Sequence, residues 1–137
     1  MASFVFADTD VCLDLLTGKK PHNHFAELLF SMADRNEIKI GVSSLSFSHI
    51  DYILKAHFKL GDSRNIISRF KTLVSVLSVN DKIIELAIAS DFEDFEDAIQ
   101  YYTAIENSIH IFVTRNLKDF KKARIQVLTP DMLLKRI

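Results

Sequence analysis

Carboxylates collect at three places in this sequence where they could do chemistry together. Asp8-Thr9-Asp10 follows directly on the apolar run Ser3-Phe-Val-Phe-Ala7, and Thr114-Arg115-Asn116-Leu117-Lys118-Asp119 follows the run that ends at Val113. Asp97 opens the helical stretch just ahead of that second run. Acids gathered at one site repel each other and stay ionised together only with a cation among them. Hard oxygen donors, with few His and one Cys, favour Mg²⁺ or Mn²⁺ over zinc. Such ions activate water and stabilise the leaving oxygen in phosphodiester hydrolysis. Each acid also has a plain structural role open to it. Asp8 can cap the first helix, and Asp94 and Asp97 suit the positive end of another. Asn116 with Asp119 resembles a capping box in which Asp replaces Glu or Gln.

The net charge of −1 does not by itself mark a nucleic-acid binder. Its distribution is more informative. Between Asp81 and Glu106 stand eight acids and one base, whereas Arg115 to Arg136 carries seven bases and two acids. Lys55, Lys59, Arg64, Arg69 and Lys71 form a second basic stretch. An acidic pocket with basic rims is what a metal-dependent phosphodiesterase needs, although solvated helix faces give the same composition. The rim of Arg115, Lys118, Lys121, Lys122 and Arg124 is the candidate path for a nucleic-acid backbone.

Other chemistry finds little support. His22-Asn23-His24 lacks the spacing of a helical zinc pair. Cys12 stands beside the acidic turn with nothing to mark an activated thiolate, and reads as small core filler. There is no Gly-rich phosphate loop and no Gly-x-Ser-x-Gly elbow. Tyr101 and Tyr102 can stack bases or simply pack in a core.

The elements that must hold these residues alternate along the chain. Strands are expected at 3–7, 38–42, 73–79, 109–113 and 125–128. Helices are expected near 11–16, 22–35, from the serines at 43, 44 and 46 onward, 62–72, 81–90 and 94–107. A short helical turn follows Asn116, and a last helix starts at Thr129-Pro130-Asp131. The third of these helices carries an apolar stripe of Phe47, Ile50, Leu54 and Phe58, with Gly61 and Asp62 beyond it. In helix 81–90, Ile84 and Ala87/Ile88 are expected to face inward. This order predicts an α/β fold, a parallel sheet of about five short strands covered by helices on both faces. At 137 residues, with 48% hydrophobic and 26% charged residues, one domain over 1–137 is expected. Only 3 Gly and 2 Pro leave no room for flexible linkers. No apolar run approaches the roughly 20 residues that span a bilayer. No secretory leader pattern is read at Met1–Asp10, and the lone Cys12 suits a reducing compartment, so a cytoplasmic protein is expected.

These segments, taken together, resemble the PIN-domain family over essentially the whole chain. The opening Phe-Val-Phe-Ala-Asp8-Thr9-Asp10 resembles the family's strand followed by Asp-Thr-Asn. Asp91-Phe-Glu-Asp-Phe-Glu-Asp97-Ala-Ile-Gln-Tyr-Tyr resembles its central acidic helix. Val113-Thr-Arg-Asn116-Leu-Lys-Asp119-Phe120 resembles its closing Thr-x-Asn-x-x-Asp-Phe motif, and Val127-Leu-Thr-Pro130 its last strand and turn. The resemblance implies a metal-dependent ribonuclease in which Asp8, Asp97 and Asp119 bind Mg²⁺ or Mn²⁺, with Thr114 and Asn116 orienting ligands or water. It further implies a toxin of the VapC type, a homodimer neutralised by a small antitoxin. One position departs: His49 falls where most members carry a Glu, which places an imidazole beside the ligands.

Three readings therefore stand at the level of sequence: an RNA-cutting phosphodiesterase, a catalytically weak nucleic-acid-binding or scaffolding PIN domain, and an aspartate phosphatase. The phosphatase finds its Asp-x-Asp turn in Asp8-Thr9-Asp10, but not its Lys and downstream acid pair. The order of motifs speaks against it.

Overall fold

Alternation along the first strand, β1 (Ser3–Ala7), decides the layering. Val5 and Ala7 enter one apolar core and Phe6 the other, as a period of two requires. The computed structural model describes residues 3–58 and 62–137. From β1 the chain runs through α1 (Thr9–Thr17), α2 (Asn23–Asp34), β2 (Ile38–Ser43), α3 (Ser44–Phe58) and α4 (Ser63–Lys71). Then come β3 (Ser75–Leu77), α5 (Asp81–Ile88), α6 (Phe95–Glu106), β4 (Ile111–Val113), β5 (Gln126–Leu128) and α7 (Pro130–Leu134). A 3₁₀ turn, Leu117–Phe120, lies between β4 and β5. The Phe58 side chain, Lys59 and Gly61, all used in the sequence reading, lie outside the described residues.

The strands form one sheet in the order β3-β2-β1-β4-β5, every pair parallel. This is the α/β architecture expected. On one face, Val5, Ile40 and Val42 pack with Leu29, Phe30, Ile50, Leu54, Phe70 and Leu133 from α2, α3, α4 and α7. On the other, Phe6 and Phe112 stack with ring centroids 4.9 Å apart, under Tyr101 and Ala104 of α6. β2 passes close beneath its neighbours at Gly41, where a Cβ would meet Leu77 Cδ1 at 2.7 Å. β1 is the central strand, and the chain leaves it to opposite sides toward β2 and β4. That reversal opens a crevice at the carboxyl ends of β1 and β4, the usual ligand site of open parallel sheets.

Local chemistry explains where the elements differ from expectation. α1 begins at Thr9 rather than Val11, because the Asp8 side chain accepts from Thr9 N and caps it. Gly18, at φ 65°, supplies the left-handed residue that ends it. β3 begins at Ser75, not Leu73, because the amides of Leu73 and Val74 bond back to Phe70 and Lys71. β4 begins at Ile111, because Ile109 N closes the end of α6 on Ala104 O at 3.0 Å. In α5 the buried stripe is Ile83 and Ala87, while Ile88 is 68% exposed.

Candidate metal centre

Two of the three acid groups meet at the crevice through hydrogen bonds across the sheet. Asp8 N donates to Val113 O at 2.9 Å, tying the end of β1 to β4. The Thr114 hydroxyl, at the end of β4, donates to Asp8 Oδ2 at 2.9 Å and lies 3.4 Å from Asp10 Oδ2. Asn116 Nδ2 donates to that same Asp10 oxygen at 3.0 Å, and Arg115 N reaches it at 3.3 Å. Asn116 therefore serves no capping box: its side chain makes no cap bond to the 3₁₀ turn. Asp94 does cap α6, accepting from Asp97 N at 2.9 Å.

The electrostatics are those of crowded acids. Burial pushes the Asp8 carboxyl up to about 8, with the Asp10 charge adding to it and the Thr114 and Thr9 donors opposing it. Asp97 is raised to about 6, by burial first and then by the charges of Asp94, Asp119, Glu96 and Asp10. Burial also raises Asp10, against the pull of the nearby Arg115 guanidinium. Asp10 Oδ1 is buried and has no hydrogen-bond partner. A buried carboxylate oxygen without a donor is costly unless a cation meets it.

Asp97 and Asp119 line a cleft of about 390 Å³ together with Lys118, Lys121 and Lys122. Of the other two bases expected on this rim, Arg124 lines a neighbouring cleft and Arg115 lies elsewhere. Its Nε is held 2.6 Å from the buried carboxylate of Asp14, against a separate cleft that includes His22 and Phe25. Lys122 Nζ is partly engaged, donating to Asp91 O at 2.8 Å. His49 sits on the exposed side of α3, with Nδ1 3.3 Å from Glu96 Oε1 rather than at Asp8.

Sequence reasoning named Asp8, Asp97 and Asp119 as ligands but left out Asp10, whose Oδ1 is buried without a hydrogen-bond partner. The signal was the two-residue spacing in Asp8-Thr9-Asp10, which puts both acids at the start of α1. It also missed Gln100, 1% exposed, whose Nε2 donates to Thr9 Oγ1 and Ser46 Oγ at 2.9 Å each. The two hydroxyls are themselves 2.7 Å apart. This knot joins α1, α3 and α6 behind Asp8. Its signal was the spacing of three between Asp97 and Gln100, one turn on the same side of α6.

Among the described residues, no three acids, imidazoles or thiolates form a ready ligand set. The donors that do converge are all carboxylate oxygens, which suits a hard cation that keeps several of its own waters.

The sequence matches the family model described as PIN domain over residues 4–118. The chain belongs to the PIN-domain family. The match to the PIN family ends one residue short of Asp119. Solved structures share the fold at low identity. A toxin–antitoxin complex from Klebsiella pneumoniae is 19% identical with a TM-score of 0.71, covering 92% of this chain and 97% of that one. VapBC2 from Rickettsia felis, bound to a promoter DNA fragment, is 17% identical with a TM-score of 0.67, covering 91% and 96%. VapC20 from Mycobacterium tuberculosis, described as a sarcin–ricin loop-cleaving toxin, is 17% identical with a TM-score of 0.65, covering 79% and 86%. No curated protein matches the sequence. Among the described residues of this PIN domain, no helix is long and apolar enough to cross a membrane.

Proposed function

We propose that this PIN domain, acting as one unit over residues 1–137, is a metal-dependent endoribonuclease and the toxin of a toxin–antitoxin pair. The observation that carries this reading is Asp10 Oδ1, buried without a partner between acids that already crowd one another. The family supports the nuclease, and relatives crystallised as toxin–antitoxin complexes support the pairing. A homodimer and a small antitoxin are the assembly proposed, and the cytoplasm the place of action.

Asp8, Asp10, Asp97 and Asp119 are the residues to hold Mg²⁺ or Mn²⁺, which supplies activation of water and neutralisation of the leaving oxygen. The chain's own groups do the rest. Thr114 and Asn116 hold the Asp8 and Asp10 carboxylates in place by donating to them. Lys118 and Lys121, exposed beside Asp97 and Asp119, attract the RNA phosphates. Arg115 steadies the loop through Asp14 and lies outside the phosphate path.

Asp8→Asn tests the assignment. Wild type should gain thermal stability with Mn²⁺ or Mg²⁺, because the ion binds the folded state preferentially. The variant should lose that gain and cleave no RNA while keeping its fold. Equal metal-induced shifts in both proteins would remove Asp8 from the site.

The His49–Glu96 pair favours a second reading, a weak RNA-binding or scaffolding PIN domain, because α3 brings an imidazole and no carboxylate to this side. His49→Glu separates the two. A nuclease short of one acid should bind Mg²⁺ more tightly and cut faster with it. A scaffold stays inert toward every RNA tested, and the substitution leaves metal binding unchanged.

A further inference from the structure

Beside the acid cleft lies a second one, of about 530 Å³, with Phe92, Tyr102, Lys122 and Arg124 among its lining residues. The two clefts adjoin, with Asp91, Phe92 and Lys122 lining both. The volume of the second is in the range of about 300–1,000 Å³ usual for small-ligand sites. The walls differ sharply in chemistry. The first cleft is acidic, with lysines at its edge. The second is aromatic and basic.

The aromatic wall is rigid. Tyr101 is buried, and its hydroxyl accepts from Arg124 N at 3.1 Å, which fixes the ring. Tyr102 stands edge-on to Tyr101 at 5.0 Å and to Phe92 at 6.4 Å. Phe92 packs in turn on Phe120 at 6.0 Å. Tyr102 and Phe92 are themselves only half-buried. Cations sit at both ends of this wall. Lys122 is held between the clefts by its bond to Asp91 O. Arg124 is exposed and enters none of the ion pairs among the described residues. Asp91 is the only acid lining the second cleft, which therefore carries two cations against one carboxylate.

Half-buried aromatics flanked by cations bind the faces of unpaired bases and the phosphates between them. A base in a duplex offers its faces only to its neighbours, so the strand here must be unpaired. We propose that this second cleft is a base pocket. It takes one unpaired nucleobase of an RNA strand against Tyr102 and Phe92, with Lys122 and Arg124 on the flanking phosphates. The neighbouring phosphate then points toward the cleft of Asp97 and Asp119, where a cation held by those acids would offset its charge. The inference rests on the nuclease reading for the direction of the strand, but its test reads binding alone.

The test uses the full chain carrying Asp8→Asn, so that bound RNA stays intact. The probes are short single-stranded oligoribonucleotides with 2-aminopurine at successive positions, and the same strands annealed to their complements. The single strand should bind about tenfold more tightly than the duplex, with 2-aminopurine emission quenched at one position. Tyr102→Leu should abolish that quenching and weaken binding about tenfold, the range for loss of one base–aromatic stack. Tyr102→Phe should keep both. If Tyr102→Leu does not fold, Arg124→Gln takes its place and must weaken single-strand binding and lessen its salt dependence. Quenching retained in Tyr102→Leu, equal affinity for strand and duplex, or no binding of single strands overturns the pocket. Cleavage by the parent chain with metal is measured separately. Binding as described without cleavage removes the nuclease and leaves the pocket standing, and cleavage indifferent to Tyr102 does the reverse.

Discussion

Asn116 Nδ2 lies 3.0 Å from Asp10 Oδ2, joining residues 106 positions apart in sequence across the crevice between β1 and β4. The contact fixes one oxygen of Asp10 and leaves the other buried and unmatched. Asn116→Ala removes one hydrogen bond to a charged group, a change of about 1.5–3 kcal/mol in favourable settings and less at this exposed edge. The expected result is a lower melting temperature together with weaker Mn²⁺ binding by calorimetry. Unchanged metal affinity would show that Asn116 does not position Asp10.

The raised acids predict an unusual pH dependence of stability. Asp8 has a folded value of about 8 against an ordinary 3.8, and Asp97 about 6. Between the ordinary and the folded values the native chain holds protons that the unfolded chain has released. The stability that these two groups contribute to the metal-free protein should therefore be fullest below the ordinary carboxylate range. It should decline as pH rises toward about 6 and on to about 8. Mn²⁺ replaces those protons, so its stabilisation should grow over the same range. Metal-free melts across this window check the sign, and a stability that climbs steadily with pH contradicts it.

Lys118 and Lys121 should carry the salt dependence of RNA binding. Changing both to Ala should reduce the slope of log K against log salt by about 0.7 for each phosphate that is no longer neutralised. Arg115→Ala should leave the slope alone, because its guanidinium is engaged with Asp14, but should lower the melting temperature. A fluorescence titration at several salt concentrations distinguishes the two outcomes. An unchanged slope for the lysine pair places the RNA elsewhere.

Gln100 predicts a split between stability and site geometry. Its Oε1 is buried without a partner, so Gln100→Leu removes an orphaned acceptor and leaves Thr9 and Ser46 bonded to each other. The melting temperature should change little. Metal affinity should fall, because the α6 anchor on Thr9, whose amide holds Asp8 Oδ1 at 2.8 Å, is gone. A large loss of stability with intact metal binding would reverse this assignment.

Much of this organisation was legible in the residues themselves. Period-two and period-3.6 patterning pointed to the parallel α/β sheet, and acids following apolar runs marked the crevice. The edges of elements were less legible, because they depend on single capping bonds such as Ile109 N to Ala104 O. The spacing of Asp8-Thr9-Asp10 set Asp10 at the start of α1, but only the fold shows that its Oδ1 is buried without a partner. Arg115 misled for a related reason. It belongs to a basic run in sequence, yet the start of the loop turns it to Asp14 while the 3₁₀ turn delivers the lysines to the cleft. His49, set beside the ligands by the resemblance, lies on the exposed side of α3 against Glu96.

The Arg115–Asp14 pair also bears on how the crevice can move. Asp14 is buried in α1, and its 2.6 Å contact moors the loop that carries Thr114 and Asn116 to that helix. With the Thr114–Asp8 and Asn116–Asp10 bonds, this leaves the loop no independent hinge. Hydrogen exchange should accordingly find the amides of residues 114–116 and the first turn of α1 opening as one cooperative unit. Any RNA that enters must then fit a mouth of fixed shape on this side, and adjustment is left to the lysines of the opposite edge.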